Sequence, residues 1–223
     1  GIRDAQESRG LGDVYKRQIF NRFVSSYIRL LEERMEKAAT AMVTVNEAHK
    51  RILTSFSGKP VYVVRDAVDP EVYEHPTAER GDGKVRVFFA GSLNNDRLRD
   101  LMAAVQFLRE DVEVHVVGDG GDYNRYVKVC GRLGVLNRKV FFRGYVEGKD
   151  MPAEIRQADI CYSDDWSQIG FPVKVFEYMA AGKPVVVEDT PAVREVVSDR
   201  VNGLLYRGCL LYTSDAADDL LCV

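Results

Sequence analysis

The stretch Gly170-Phe-Pro-Val-Lys-Val-Phe-Glu-Tyr-Met-Ala-Ala-Gly-Lys-Pro-Val-Val-Val-Glu-Asp189 reads as a loop, a short helix and a buried strand. Pro172 suits the first helical position, where an N–H has no partner to lose. Lys174 and Glu177 stand three apart and share one helix face. Gly182 can end the helix in a left-handed cap, and Pro184 bars its continuation. Val185-Val-Val187 is then an apolar run of the kind found in central parallel strands. A helix that starts at the carboxyl end of a strand presents unpaired N–H groups and the positive end of its dipole, which together make an anion site. A lysine and a carboxylate one turn apart at that spot suit a nucleotide diphosphate, with Lys174 towards the phosphates and Glu177 accepting from the ribose hydroxyls.

Working outward, strands and helices alternate. The patterning predicts strands at 85–90, 112–117, 140–142, 159–162 and 203–206, and helices at 96–109, 122–133, 151–158 and 191–197. This order predicts an α/β fold: a Rossmann-like, doubly wound parallel sheet with helices on both faces. Ligands of such sheets sit at the carboxyl ends of the strands. Upstream, residues 20–39 carry apolar side chains at helical spacing. A strand at 41–45, a helix at 47–56 capped by Asn46 and a strand at 61–64 follow. His75-Pro-Thr-Ala-Glu-Arg-Gly-Asp-Gly-Lys84 is polar, rich in turn formers and without period, as expected of an interdomain linker.

The two ends look foreign to the rest. Gly1–Asp4, Ser8–Gln18, Cys209–Ser214 and Asp215–Asp218 can be back-translated into sequences resembling the adapters and transposon ends of a sequencing library. The back-translations of Asp13–Gln18 and Cys209–Ser214 are reverse complements over their shared core, one base out of frame. The expected organisation is therefore an adapter artefact at 1–18, the end of an N-terminal domain with its linker at 19–83, a truncated α/β domain at 84–208 and a second artefact at 209–223. The insert would be a metagenomic fragment open at both ends.

The chain has 31 Lys+Arg and 34 Asp+Glu, of which four and six fall in those ends, so the insert is near neutral at −1. That balance gives no reason to expect a nucleic acid or an anionic membrane as partner. No apolar run is long enough to span a bilayer. Cys130 and Cys161, the cysteines outside the artefact ends, lack metal-ligand spacing and read as buried free thiols in a reducing compartment. His49, His75 and His115 are isolated, and none has the setting of a catalytic base.

Two further glycine turns follow strands, Phe89-Ala-Gly-Ser92 and Val116-Val-Gly-Asp-Gly-Gly121. Glycine at a strand's end lets the backbone approach a phosphate closely. Neither turn is G-x-G-x-x-G, and no Walker lysine motif occurs, which argues against a dinucleotide or P-loop site.

In order from Ala41 to Tyr206, these features resemble the nucleotide-sugar glycosyltransferases of the GT-B fold, in particular the large retaining group that includes sucrose synthases and bacterial mannosyltransferases. Val64-Arg-Asp-Ala-Val-Asp69 resembles the family's crossing into the donor domain. Val116-Val-Gly-Asp-Gly120 resembles its "ivGdG" turn, and Val140–Val146 its "V-x-F-x-G-x-v" strand. Gly170–Val187 resembles its donor-site helix, and Glu195 with Asn202-Gly203 its "E…nG" ending.

The resemblance implies a transferase moving a hexose from a nucleotide diphosphate sugar, with retention, without cofactor or metal, to an unknown glycan, lipid or small-molecule acceptor. Lys174 and Arg97 would be the catalytic cations that offset charge on the departing diphosphate. Gly91 and Ser92 would form the loop that closes over it, with Gly118 in the next turn. Gly170, Phe171, Pro172 and Val173 would present backbone to the phosphates, Glu177 would bind the ribose, and Tyr145 and Val146 would lie near the base. It implies a cytoplasmic location, membrane association of the full-length parent being left open. The sequence departs from the pattern at three places: the usual carboxylate eight residues before Glu177 is Ile169, the glycine-loop arginine is Ser92, and "N-G-V-D" is Asp66-Ala-Val-Asp69. A nucleotide-sugar 2-epimerase of the same fold and a non-catalytic nucleotide-sugar binding module remain as alternatives.

Overall fold

The computed structural model describes residues 26–73 (apart from 28, 29, 32 and 36), 81–164 and 170–207. Described residues up to Val43 and Lys50–Tyr62 form one compact unit; Thr44–His49 and the residues from Val63 onward form the other.

In the first unit the described residues between 26 and 38 are helical, as their spacing predicts. Strands β1 (Met42–Thr44) and β2 (Val61–Val63) make a two-stranded sheet, and helix α1 (Glu47–Ser57) lies between them in sequence. Asn46 caps α1 as expected, its Oδ1 accepting from the His49 N–H at 2.7 Å.

The second unit is a six-stranded sheet. Its strands are β3 (Val85–Ala90), β4 (Val112–Val117), β5 (Val140–Gly144), β6 (Ile160–Ser163), β7 (Val185–Glu188) and β8 (Leu204–Tyr206). Their order is β5-β4-β3-β6-β7-β8, with every pairing parallel. Such a ladder needs long crossovers. Helices α2 (Arg99–Ala104), α3 (Tyr123–Arg132), α4 (Met151–Arg156) and α5 (Val173–Ala180) lie within them. Alternate side chains of the strands feed two cores. Phe88, Cys161, Val185 and Val187 pack with Val175 and Tyr178 of α5 and Ile155 of α4. Phe89, Val114, Val116 and Tyr162 pack with Leu101 of α2 and Tyr126 of α3. The chain runs outward from β3 to β5, returns to β6 beside β3, and runs out the other way. The strand order reverses between β3 and β6, and there the doubly wound topology opens a crevice at the carboxyl edge.

Three expectations need correction. Pro172 lies outside α5, as its extended N-cap residue (φ −73°, ψ 105°), rather than in its first turn. The helix expected at 96–109 is shorter: Asn95 and Asp96 are left-handed (φ 57° each), so α2 begins only at Arg99 and passes into a 3-10 turn, Val105–Phe107. The helix expected at 191–197 is a single 3-10 turn, Val193–Glu195. Its β-branched residues Val193, Val196 and Val197 favour other backbone states. The end of α5 is as expected. Gly182 is left-handed (φ 66°), its N–H donates to Met179 O, and the Lys183 N–H donates to Tyr178 O, which is a Schellman cap.

Candidate functional site

Helix α5 is anchored to the last residue of β3 at two points. Tyr178, fully buried, accepts from the Ala90 N–H at 3.1 Å, and Lys174 Nζ donates to Ala90 O at 3.1 Å. The Lys174 ammonium also lies 4.2 Å from the centre of the Phe89 ring, a cation–π distance. These contacts carry Lys174 across to the strand reversal, one residue short of Gly91. A Cβ at Gly91 would come within 3.3 Å of Lys174 Nζ. Lys174 thus ties the helix to the sheet, a role its spacing alone did not show.

The start of α5 receives no side-chain cap. The Val175 N–H donates to Pro172 O at 2.9 Å, and a helix start of this kind is a common place for an anion. Gly170, Phe171 and Pro172 lead into it half-buried. Phe171 stacks obliquely on Phe176 at 4.5 Å and packs against the core, so its side chain serves packing. Glu177, one turn on, accepts a hydrogen bond from the Tyr73 hydroxyl. Burial, together with this carboxylate, pushes the Tyr73 phenol up to about 12.

The two glycine turns are bound to one another. Gly91 N–H donates to Val117 O (3.0 Å), Leu93 N–H to Asp119 O (3.0 Å), and Gly121 N–H to Asn94 Oδ1 (2.6 Å). Gly118 has φ 135°, and a Cβ there would lie 1.9 Å from Gly91 O. Glycine is therefore demanded at 118 by the neighbouring turn. Ser92 is exposed and accepts from Asn94 Nδ2 (2.6 Å). Arg97 lies half-buried in the turn before α2; Asp96 pairs with Arg125 and Asp100 with Arg99, and no ion pair of Arg97 occurs among the described residues. Tyr145 is 76% exposed, while Val146 packs against the core. The structure thus gathers Gly91, Lys174 and the start of α5 at the reversal. Tyr145 follows Gly144, whose carbonyl accepts from the Gly118 N–H at 2.8 Å. Ile169 lies outside the described residues, as does His75.

Sequence reading missed Asp164, which follows β6 directly. It is 5% exposed, and its nearest cation is Lys174 Nζ, 3.9 Å from Oδ1. Neither carboxylate oxygen has a hydrogen-bond partner among the described residues. Burial pushes its pKa up to about 7, against the pull of Lys174 and Arg97. A polar Ser163-Asp164 pair at the carboxyl end of an apolar strand was the signal available. Glu195 was also missed in its actual role: its oxygens accept from the Glu47 and Ala48 N–H groups (3.0 and 2.8 Å) and pair with Arg65 (2.9 Å), so it caps α1. Cys130 and Cys161 are buried free thiols as expected, pushed by burial up to about 11 and about 12. His115 is half-buried against Phe141 and Glu113, with its pKa lowered mainly by burial. Among the described residues no group of side chains could hold a metal ion, and no helix is long and apolar enough to cross a membrane.

A reversal in a doubly wound parallel sheet, with a glycine turn, a helix start and a buried lysine meeting there, is the arrangement of a Rossmann-like unit. The chain belongs to the glycosyl transferases group 1 family, whose model matches residues 84–220. It is 30% identical over 141 residues to a phosphatidyl-myo-inositol mannosyltransferase of Mycobacterium leprae, covering 60% of this chain and 37% of that one. It is 33% identical over 90 residues to an uncharacterized glycosyltransferase of Methanocaldococcus jannaschii, covering 40% and 23%. Among solved structures, Anabaena HepE in complex with UDP superposes with a TM-score of 0.65 at 23% identity, over 76% of this chain and 50% of that one, and shares the GT-B fold. The chain spans less than half the length of the curated relatives it matches.

Proposed function

We propose that this chain is the donor-binding part of a retaining glycosyltransferase that moves a hexose from a nucleotide diphosphate sugar to an acceptor, using neither a metal nor an organic cofactor. The observation that carries this reading is the meeting of Lys174, the Gly91 turn and the uncapped start of α5 at the strand reversal. The pyrophosphate would lie against the amides of Val173 and Lys174, with the Lys174 ammonium beside it and Arg97 approaching from the turn before α2. Gly91 and Ser92 would cover it. Glu177 would accept from the ribose hydroxyls, and Tyr145 and Val146 would border the base.

The chemistry follows from where charge develops. As the bond between the sugar's anomeric carbon and the phosphate oxygen breaks, negative charge grows on the leaving diphosphate. Fixed cations and helix amides stabilise that charge more in the transition state than in the bound donor, which is the condition for catalysis. The acceptor would come from outside the described residues. A cytoplasmic setting fits the buried free thiols Cys130 and Cys161.

Calorimetry with a panel of nucleoside diphosphates and their sugars, followed by donor turnover assays in a longer protein, tests this. Glu177→Ala is expected to weaken nucleotide binding by about tenfold, the worth of hydrogen bonds to a charged group. Undiminished affinity in a folded Glu177→Ala protein would remove its ribose role. Turnover separates transfer from 2-epimerisation and from binding alone.

A further inference from the structure

Asp164 has no part in the fold's cores and none in the chemistry above. It is 5% exposed, and neither oxygen accepts a hydrogen bond among the described residues. A buried carboxylate in that condition is costly to maintain. Charged and titratable groups face it from every side. Lys174 of α5 is 3.9 Å away, Arg97 acts on it from the turn before α2, and Glu188 does so from the end of β7. The phenols of Tyr162 in β6, Tyr178 in α5 and Tyr206 in β8 also feel its charge. Lys174 is itself only 13% exposed, fixed to Ala90 O and laid over the Phe89 ring. Asp164 is therefore a counter-charge to the ammonium that, in the function proposed above, meets the donor phosphates.

We propose that Asp164 is a positioning residue that counterbalances Lys174 while the crevice is empty and gives up its negative charge, by taking a proton from solvent, when the pyrophosphate of an activated sugar arrives. One O–H bond forms on the carboxylate and no other bond changes. Burial already pushes the Asp164 pKa up to about 7. A neighbouring dianion competes for Lys174 and Arg97 and repels the carboxylate, so the pKa rises further on binding. Donor affinity is then greatest where Asp164 is protonated, and it falls as pH rises above about 7. The inference rests on the proposed donor site.

The test is calorimetry of the full chain with UDP-glucose and GDP-mannose, whose esterified phosphates lack the second ionisation near about pH 6. At about pH 7.5 binding should take up a fraction of a proton. The apparent enthalpy should then differ between phosphate and Tris buffers. Affinity should fall towards a limit of about tenfold per pH unit on the alkaline side. Asp164→Asn should abolish the uptake, flatten the profile and bind more tightly than the original chain at alkaline pH. Donor binding with a buffer-independent enthalpy would overturn the proposal, as would an Asp164→Asn protein that keeps the original slope. Should that variant fail to fold, the two-buffer comparison on the original chain decides alone. If neither donor binds at all, the donor-site reading falls first and Asp164 with it.

Discussion

The two faces of the six-stranded sheet and its carboxyl edge are made by the same strands, yet they differ in what they bury. On the faces, Phe88, Phe89, Val114, Val116, Cys161, Val185 and Val187 meet other apolar groups. Each such side chain contributes about 1.5–3 kcal/mol by leaving water. At the end of β6 and just beyond it, the hydroxyl of Ser163 and the carboxylate of Asp164 are buried without hydrogen-bond partners among the described residues. Each such group costs about 1–3 kcal/mol. The faces are arranged for stability. The edge at the β3–β6 reversal holds charge against stability, which is the usual mark of a site kept for a ligand.

The contrast breaks most severely at Gly118. Gly118→Ala would place a Cβ 1.9 Å from Gly91 O at a backbone angle of φ 135°. A loss of more than about 3 kcal/mol is expected in urea unfolding, because both turns must move. Unfolding at an unchanged urea concentration would show that the two turns are not interlocked.

Asp164→Asn sharpens the contrast in the opposite direction. The folded-state pKa of Asp164, about 7, lies above its ordinary value of 3.8, so the folded chain holds more protons between those values. Its contribution makes stability fall as pH rises through that window and stay lowered above it. Asp164→Asn should therefore stabilise the chain by about 1–3 kcal/mol at pH 8, with little effect at pH 4. Stability lost at pH 8 would show that the charged carboxylate is well paired in the folded chain.

Tyr73→Phe gives the smallest effect. It keeps the buried ring and removes the hydroxyl that donates to Glu177. A stability loss of about 1 kcal/mol is expected from the single hydrogen bond. Glu177 would also be less well oriented, which should show as weaker discrimination between ribose and 2′-deoxyribose nucleotides. Equal discrimination in both proteins would make Tyr73 a packing residue only.

The sheet and α5 were legible because their signals are local. Valine-rich runs, the Gly182 cap and the helical stretches between strands each specify an element without tertiary help. Lys174 and Glu177 were legible through their spacing at a helix start. Asp164 and Tyr73 were not, because their importance comes from burial and from partners distant in sequence. Asp164 reads as one more acidic residue in a loop until β3, β6 and α5 surround it. Tyr73 meets Glu177 across more than a hundred residues. The late start of α2 was not legible because backbone handedness at Asn95 and Asp96 outweighed a helical pattern, and at Val193–Glu195 the β-branched residues held the chain to a single turn. That Gly118 is demanded by the close approach of Gly91 was not legible, because the two turns are distant in sequence.

The most direct test is a crystal structure of the chain soaked with a nucleoside diphosphate. The phosphates should lie at the strand reversal, against the first amides of α5 and within hydrogen-bonding reach of Lys174 Nζ, with the ribose hydroxyls on Glu177. A nucleotide bound elsewhere on the sheet, leaving Lys174 on Ala90 and Glu177 on Tyr73 with no ligand beside them, would contradict the assignment of this edge.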